Sequence, residues 1–574
     1  MKKITLTILM SLLVAVGIAQ KNAPRWLENQ RKAIIQVTTY GPNDSNKKTG
    51  TAFFVSDNGE ALSSYSLFTG AVRAVVTDNT GKEYPVKSIV GADEMYDVIK
   101  FKVETSGKVP FLSIAKEPLS VGTDAYLIPY STARTGSFTQ GPIAETNTLK
   151  GSYGYYKVSI PFADSAADAP ILNANGEVFG IAQEDATGKK EHLFAVSAGY
   201  VNSLQVSPLE MLDVVYTAIG IRKAWPDDIN QALISLLLLS NQDAKTYLSI
   251  LNDFISVFPD APDGYQNRAN HYLYNRAALA SSKTEETDYL QKALDDMDLA
   301  IQKNPNKAEA LFDKAKFILT AALSGSIEDE RFSLTSALAI IQQAIATDDS
   351  PLYQQLQGDI YFNMGDYQNA YDNYMLVNNS YMASTSSFYW AAKAKENIPG
   401  SNVFDIIPLL DKAVNLSIDS PTNETVVALW ERGNCKLQIM LYDDAIADFD
   451  RYYTLLNAQV NDLFFYYREQ AKFRKGDYVS ALDDIKQALR LAPSNPIYMA
   501  EEAAIYIRLE DYDSAINSLQ KAIEQSPELA DSHRLLGVCQ VRKGNTAAAC
   551  QSFHKAKELG DTVVDRLIQQ YCGN

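Results

Sequence analysis

The chain has 574 residues, which at roughly 150 per domain points to three or four domains. Its 46% hydrophobic and 21% charged content is that of an ordinary globular protein with enough apolar material for packed cores. The formal net charge is −17 and no basic stripe is present, which excludes a nucleic-acid backbone as partner, because phosphate binding needs clustered lysine and arginine.

Met1-Lys2-Lys3 followed by the apolar run Ile4 to Ile18 reads as a signal peptide over residues 1–19. Gly17-Ile18-Ala19 supplies small residues for cleavage before Gln20. The run is shorter than the roughly 20 residues a membrane span needs, so no transmembrane segment is expected once it is removed. The other reading of the same residues is a retained N-terminal anchor. Export is the expectation, to a periplasmic or outer-membrane-associated position or to the medium. The four cysteines, Cys435, Cys539, Cys550 and Cys572, are too few for a disulfide framework. An oxidising compartment permits one bridge among the last three. Their spacing is no zinc pattern, and neither a metal nor a cofactor is expected.

From Gln20 to about Gln205 the chain is a succession of short β-type runs. Ala33 to Thr39, Thr51 to Ser56, Ala71 to Thr77, Glu83 to Val90 and Asp97 to Val103 form one set. Ala125 to Pro129, Ser137 to Glu145, Tyr155 to Ile160, Ile171 to Ile181 and Leu193 to Ser197 form a second. Turn residues such as Asp57-Asn58-Gly59 and Asp78-Asn79-Thr80-Gly81 separate them, the pattern of a β-barrel or sandwich.

Several motifs in this region fall in a telling order. They are Gly50-Thr51-Ala52-Phe53-Phe54-Val55-Ser56, Leu62-Ser63-Ser64-Tyr65-Ser66-Leu67-Phe68, Asp97-Val98-Ile99-Lys100-Phe101-Lys102-Val103, the loop Ala163 to Pro170 and Phe194-Ala195-Val196-Ser197. Together they resemble the trypsin-like serine proteases of the bacterial HtrA type, which implies a two-barrel protease fold over residues 20–205. On that resemblance the general-base position holds Ser66, the orienting aspartate is kept as Asp97, and the nucleophile position holds Ala167. The two glycines that follow the nucleophile in the family become Asp168 and Ala169. A serine nucleophile needs an imidazole to take its proton and an aspartate to orient that imidazole, so one surviving member of three implies a domain without peptidase activity. Asp168 would also put a carboxylate beside the oxyanion site. The alternative is a peptidase in which a loop shift presents Ser165. The domain's single histidine, His192, precedes the last strand, where the family has no catalytic group.

Residues 206–227, ending in Trp225-Pro226-Asp227, read as a linker, and no PDZ-like module follows. From Asp228 helical periodicity takes over. Asp477-Tyr478-Val479-Ser480-Ala481, Asp511-Tyr512-Asp513-Ser514-Ala515 and Asn545-Thr546-Ala547-Ala548-Ala549 are one unit recurring every 34 residues. Ala488, Ala522 and Ala556 follow at the next helical contact. These residues resemble tetratricopeptide (TPR) repeats, which implies an all-α solenoid over residues 228–574. About eight to nine helical hairpins are expected, with the segment Thr562 to Cys572 as capping helix.

Such arrays bind proteins or peptides along the groove of their first helices. Trp430, Tyr466, Tyr467 and Arg534 fall in the register of that groove, and Arg474, Arg508 and Arg542 recur at 34-residue spacing. An extended acidic peptide is the fitting ligand. The same three arginines also sit where a helix C-terminus favours a positive charge by itself. The expectation as a whole is a multidomain chain, an all-β trypsin-like double barrel followed by an all-α TPR solenoid, acting as an exported interaction scaffold. The alternative is a serine peptidase using Ser165 whose substrates the repeats recruit.

Overall fold

A computed structural model describes residues 23–133 and 137–573. The expected signal peptide lies outside the described residues. The chain falls into two compact units, with the boundary between Lys303 and Asn304.

The first unit opens with two closed antiparallel barrels of six strands each. The first barrel contains β1 (Ile34–Tyr40), β2 (Lys48–Phe54), β3 (Glu60–Ser63), β4 (Arg73–Thr77), β5 (Glu83–Asp93) and β6 (Val98–Val103), in the order β1-β2-β3-β6-β5-β4. The second contains β7 (Asp124–Leu127), β8 (Thr139–Leu149), β9 (Tyr153–Val158), β10 (Pro170–Leu172), β11 (Val178–Gln183) and β12 (Leu193–Ser197), in the order β10-β11-β12-β9-β8-β7. Ile35, Val37, Ala52, Val76 and Phe101 fill the first barrel from alternate positions of its strands, as a two-residue period dictates. Two strands depart from the sequence reading. The strand β3 escapes it because Glu-Ala-Leu-Ser is too short to show alternation. The run 171–181 is two strands, since Asn173 Oδ1 accepts from the N–H groups of Asn175 and Glu177 and closes a turn that Gly176 completes at φ 80°.

Residues 206–227 are not the expected linker. Val206, Tyr216, Ile219 and Ile221 are buried in the core of the first barrel, and the Ile89 backbone bonds to Arg222 O and Ala224 N at 2.8 and 2.7 Å. Trp225 then stacks edge-on against Phe254 at 5.3 Å and donates from Nε1 to Asp253. The apolar residues of this stretch lack any period, which hides them from a pattern reading. Two helical hairpins complete the unit, built from helices Ile229–Leu238, Ala244–Val257, Pro262–Leu279 and Lys283–Lys303.

The second unit contains seven further hairpins among the described residues, from Lys307 to Glu558, and a last short helix, Asp565–Tyr571. Asp366, Asp477, Asp511 and Asn545 cap second helices by accepting the N–H three residues on. The alanines of the repeat are fully buried between the helices of each pair. Close approach also explains a glycine: a Cβ on Gly433 would lie 2.9 Å from the Phe449 ring of the partner helix. Cys550 of the last hairpin is bonded to Cys572 beyond the final helix, with Cα atoms 5.4 Å apart, and Cys435 and Cys539 are buried free thiols.

Candidate active-site cleft and helical surface

A cleft of about 1070 Å³ lies where the two barrels of the first unit face each other. Ser66, Asp97, Ser165, Ala167 and Asp168 all line it. Ser66 stands on the one-turn helix Tyr65–Phe68, whose Tyr65 and Phe68 are buried and leave Ser66 exposed. Phe68 is anchored against Phe101 at 5.0 Å. Asp97 leads into β6 with φ 48° and accepts from Ser66 twice, from N–H at 2.6 Å and from Oγ–H at 3.0 Å. Its carboxylate therefore fixes a hydroxyl and a backbone amide.

The facing loop enters through the short turn Asp164–Ala166, where Asp164 pairs with Lys190 at 2.6 Å. The N–H of Ala167 points back to Asp164 O at 3.4 Å. That of Asp168 goes to Ala182 O at 2.9 Å and that of Ala169 to Ala166 O at 3.2 Å. All three amides are thus used inside the second barrel. Asp168 holds a left-handed backbone at φ 65°, a conformation that costs a residue with a side chain about 1 kcal/mol.

The Asp168 carboxyl reaches across to the first barrel. It lies against Gly50, where a Cβ would come within 2.9 Å of its Oδ2, and it takes a hydrogen bond from the Ser64 side chain. Burial pushes its pKa up to about 7, the Ser64 bond works against this, and the charge of Asp97 adds to it. A carboxyl that shares its space with Asp97 and titrates near neutrality was not foreseen. The sequence placed Asp168 beside the oxyanion site, but its reach to Gly50 depends on contacts 118 positions away. His192 is not among the residues lining this cleft, and its Nδ1 is buried without a partner. Among the described residues no group of histidine, cysteine, aspartate and glutamate is arranged to hold a metal ion.

In the helical unit the candidate residues part company. Trp430 lies among Phe449 and Tyr452 of its own hairpin and Phe464 and Tyr467 of the next at 5.4–6.4 Å, so its half-buried indole packs two hairpins together. Tyr466 leans on Tyr498 at 5.3 Å, while Tyr467 is 36% exposed. Arg534 is held by Asp531 and Asp561 at 2.5 and 2.6 Å. Arg474, Arg508 and Arg542 are exposed. Sequence reasoning missed a pair of buried clamps. Asp448 receives Arg432 at 2.8 Å and Lys436 at 2.9 Å, and Asp484 receives Arg468 at 2.9 Å and Lys472 at 2.7 Å. Their signal was available as Arg-x-x-x-Lys with an aspartate sixteen positions after the arginine, occurring twice.

Two antiparallel six-stranded barrels with a cleft between them define the class as trypsin-like. Residues 50–181 match the family described as Trypsin-like peptidase domain, and residues 503–544 match the TPR repeat. The chain thus combines a region that matches a trypsin-like peptidase domain with a region that matches TPR repeats. Among curated proteins it is 26% identical over 175 residues to a probable periplasmic serine endoprotease DegP-like of Halomonas elongata, covering 30% of this chain and 35% of that protein. It is 27% identical over 96 residues to the small glutamine-rich tetratricopeptide repeat-containing protein 2 of Saccharomyces cerevisiae, covering 17% and 28%. With DnaJ homolog subfamily C member 7 of Mus musculus it shares 30% identity over 95 residues, covering 16% and 19%. The chain therefore spans about a third or less of the length of these relatives. Among solved structures, the Rv3671c protease of M. tuberculosis in its active form matches 31% of this chain and 82% of its own at 21% identity and TM-score 0.27.

Proposed function

We propose that the protein is an exported interaction scaffold in which the trypsin-like unit has no peptidase activity and the TPR hairpins hold protein or peptide partners. The observation that carries this reading is the residue set of the cleft: Ser66 and Asp97 bond to each other, and Ala167 stands opposite them without an oxygen to attack a carbonyl. Acyl transfer by this family's route needs a nucleophile, an imidazole and N–H groups converging on the oxyanion. Here the imidazole position is a serine, and the amides of 167–169 bond within their own barrel. Export is supported by the basic and apolar N-terminus and by the periplasmic relative. Partner binding by the repeats is supported by the exposed Arg474, Arg508, Arg542 and Tyr467, which suit an extended acidic segment. Trp430 and Arg534 act in the packing of the hairpins.

The second reading, a peptidase using Ser165, is favoured by one observation: Ser165 is exposed and lines the cleft. It lacks the family's imidazole base, since no histidine lines the cleft among the described residues. Incubation of the mature protein with unfolded casein separates the two. Intact casein after prolonged incubation is the expected result. Cleavage that Ser165→Ala abolishes establishes the second reading.

A further inference from the structure

The stretch that closes the first barrel also walls a cavity unrelated to the cleft. It measures about 610 Å³ and lies between residues 211–225 and the helix Ala244–Val257 with the turn before it. That volume is within the usual range for small-molecule sites. Met211, Ile221, Trp225 and Ile250 give it an apolar wall, and Arg222 and Lys223 bring two cations to it.

The charges in the cavity do not balance. Arg222 is paired with Asp253, yet its Nε is buried and has no hydrogen-bond partner. The Lys223 ammonium donates to the carbonyl of Ile219 in its own segment. An ammonium has three donors, and among the described residues no carboxylate pairs with it. Burial alone lowers its pKa, to about 8, with no opposing contribution from an acid. The backbone pairing of Arg222 and Ala224 with Ile89 holds the lysine there. A half-buried cation without a counter-charge at an apolar cavity is costly by itself and becomes favourable once an anion enters. Leu209, Leu212 and Val214, which flank Met211 in the chain, are exposed, so apolar surface continues outward from the cavity wall.

We infer that this cavity binds an amphiphilic monoanion, a carboxylate on an apolar chain, with Lys223 as counter-ion and Trp225, Ile221 and Ile250 against the chain. One uncompensated ammonium matches a single negative charge, and Met211, Ile221, Trp225 and Ile250 offer an apolar body a surface to lie on, with Thr217, Gln242, Thr246 and Ser249 at the remaining wall. Binding keeps the amine protonated, so affinity is flat between about pH 6, where the carboxylate is ionised, and pH 8, and falls about tenfold per pH unit above it.

Calorimetric titration of the full chain with dodecanoate, with dodecanol as the matched neutral probe, tests this. Dodecanoate should bind at one saturable site, at least tenfold more tightly than dodecanol, and weaken between pH 8 and 10. Lys223→Met should lose tenfold or more and the pH dependence with it, while Lys223→Arg should bind at pH 10 as at pH 7. Equal binding of the two probes, absence of saturable dodecanoate binding, or unchanged affinity in Lys223→Met would each overturn the proposal. If Lys223→Met does not fold, the two probes and the pH series on the unaltered protein decide.

Discussion

Aspartates in the two units live under opposite conditions. In the helical unit Asp448 and Asp484 are buried to 6% and 4% exposure, and each is gripped by an arginine and a lysine. In the cleft of the barrels Asp97 accepts from the hydroxyl and amide of Ser66, and Asp168 takes a bond from Ser64, with burial its dominant influence. The helical carboxylates tie two helices of a hairpin together, and removing the aspartate leaves an arginine and a lysine side by side. The cleft carboxylates face a cavity and each other, so they weaken the fold where a ligand would be met. Recognition sites commonly carry such a cost.

The sharpest way to break this division is to cut the chain where the sequence placed its boundary. A fragment ending at Gln205 lacks Val206, Tyr216, Ile219 and Ile221, whose burial is worth about 6–12 kcal/mol at ~1.5–3 kcal/mol each, as much as a domain's whole stability. It should be unfolded by circular dichroism, whereas a fragment ending at Lys303 should fold. Next in size is Asp484→Ala, which leaves Arg468 and Lys472 facing each other and should cost about 3–5 kcal/mol in urea unfolding of the helical signal.

Asp168→Asn tests the cleft side of the comparison and should act in the other direction. Because the folded carboxyl holds its proton up to about 7 and the unfolded one releases it near 4, the native state binds more protons between those values. Stability contributed by this group therefore falls as pH rises through that window. The asparagine variant should match the unaltered protein at pH 4 and exceed it at pH 8 by roughly 2–4 kcal/mol, read as a higher Tm. The smallest effect is Gly433→Ala, whose methyl would press on Phe449 and should cost about 1–3 kcal/mol.

Most of the architecture was legible because it repeats. The 34-residue spacing of Ala481, Ala515 and Ala549 marks contacts between neighbouring helices, and period-two runs mark barrel strands. The cleft was legible where a motif is local, as with Ser66 and Ala167. What escaped depends on partners distant in the chain: Asp168 against Gly50, Trp225 on Asp253, and Ile219 and Ile221 in a barrel begun at Ile34. The packing around Trp430 escaped for a related reason. Its register faces the groove, and Phe449 and Tyr452 from the next helix pack against it and leave it half-buried.

The central proposal is that the barrel cleft holds no activated nucleophile. Intact mass of the mature protein after exposure to a fluorophosphonate probe tests it directly. The account predicts an unchanged mass, and a stoichiometric adduct that maps to Ser165 and vanishes in Ser165→Ala would contradict it.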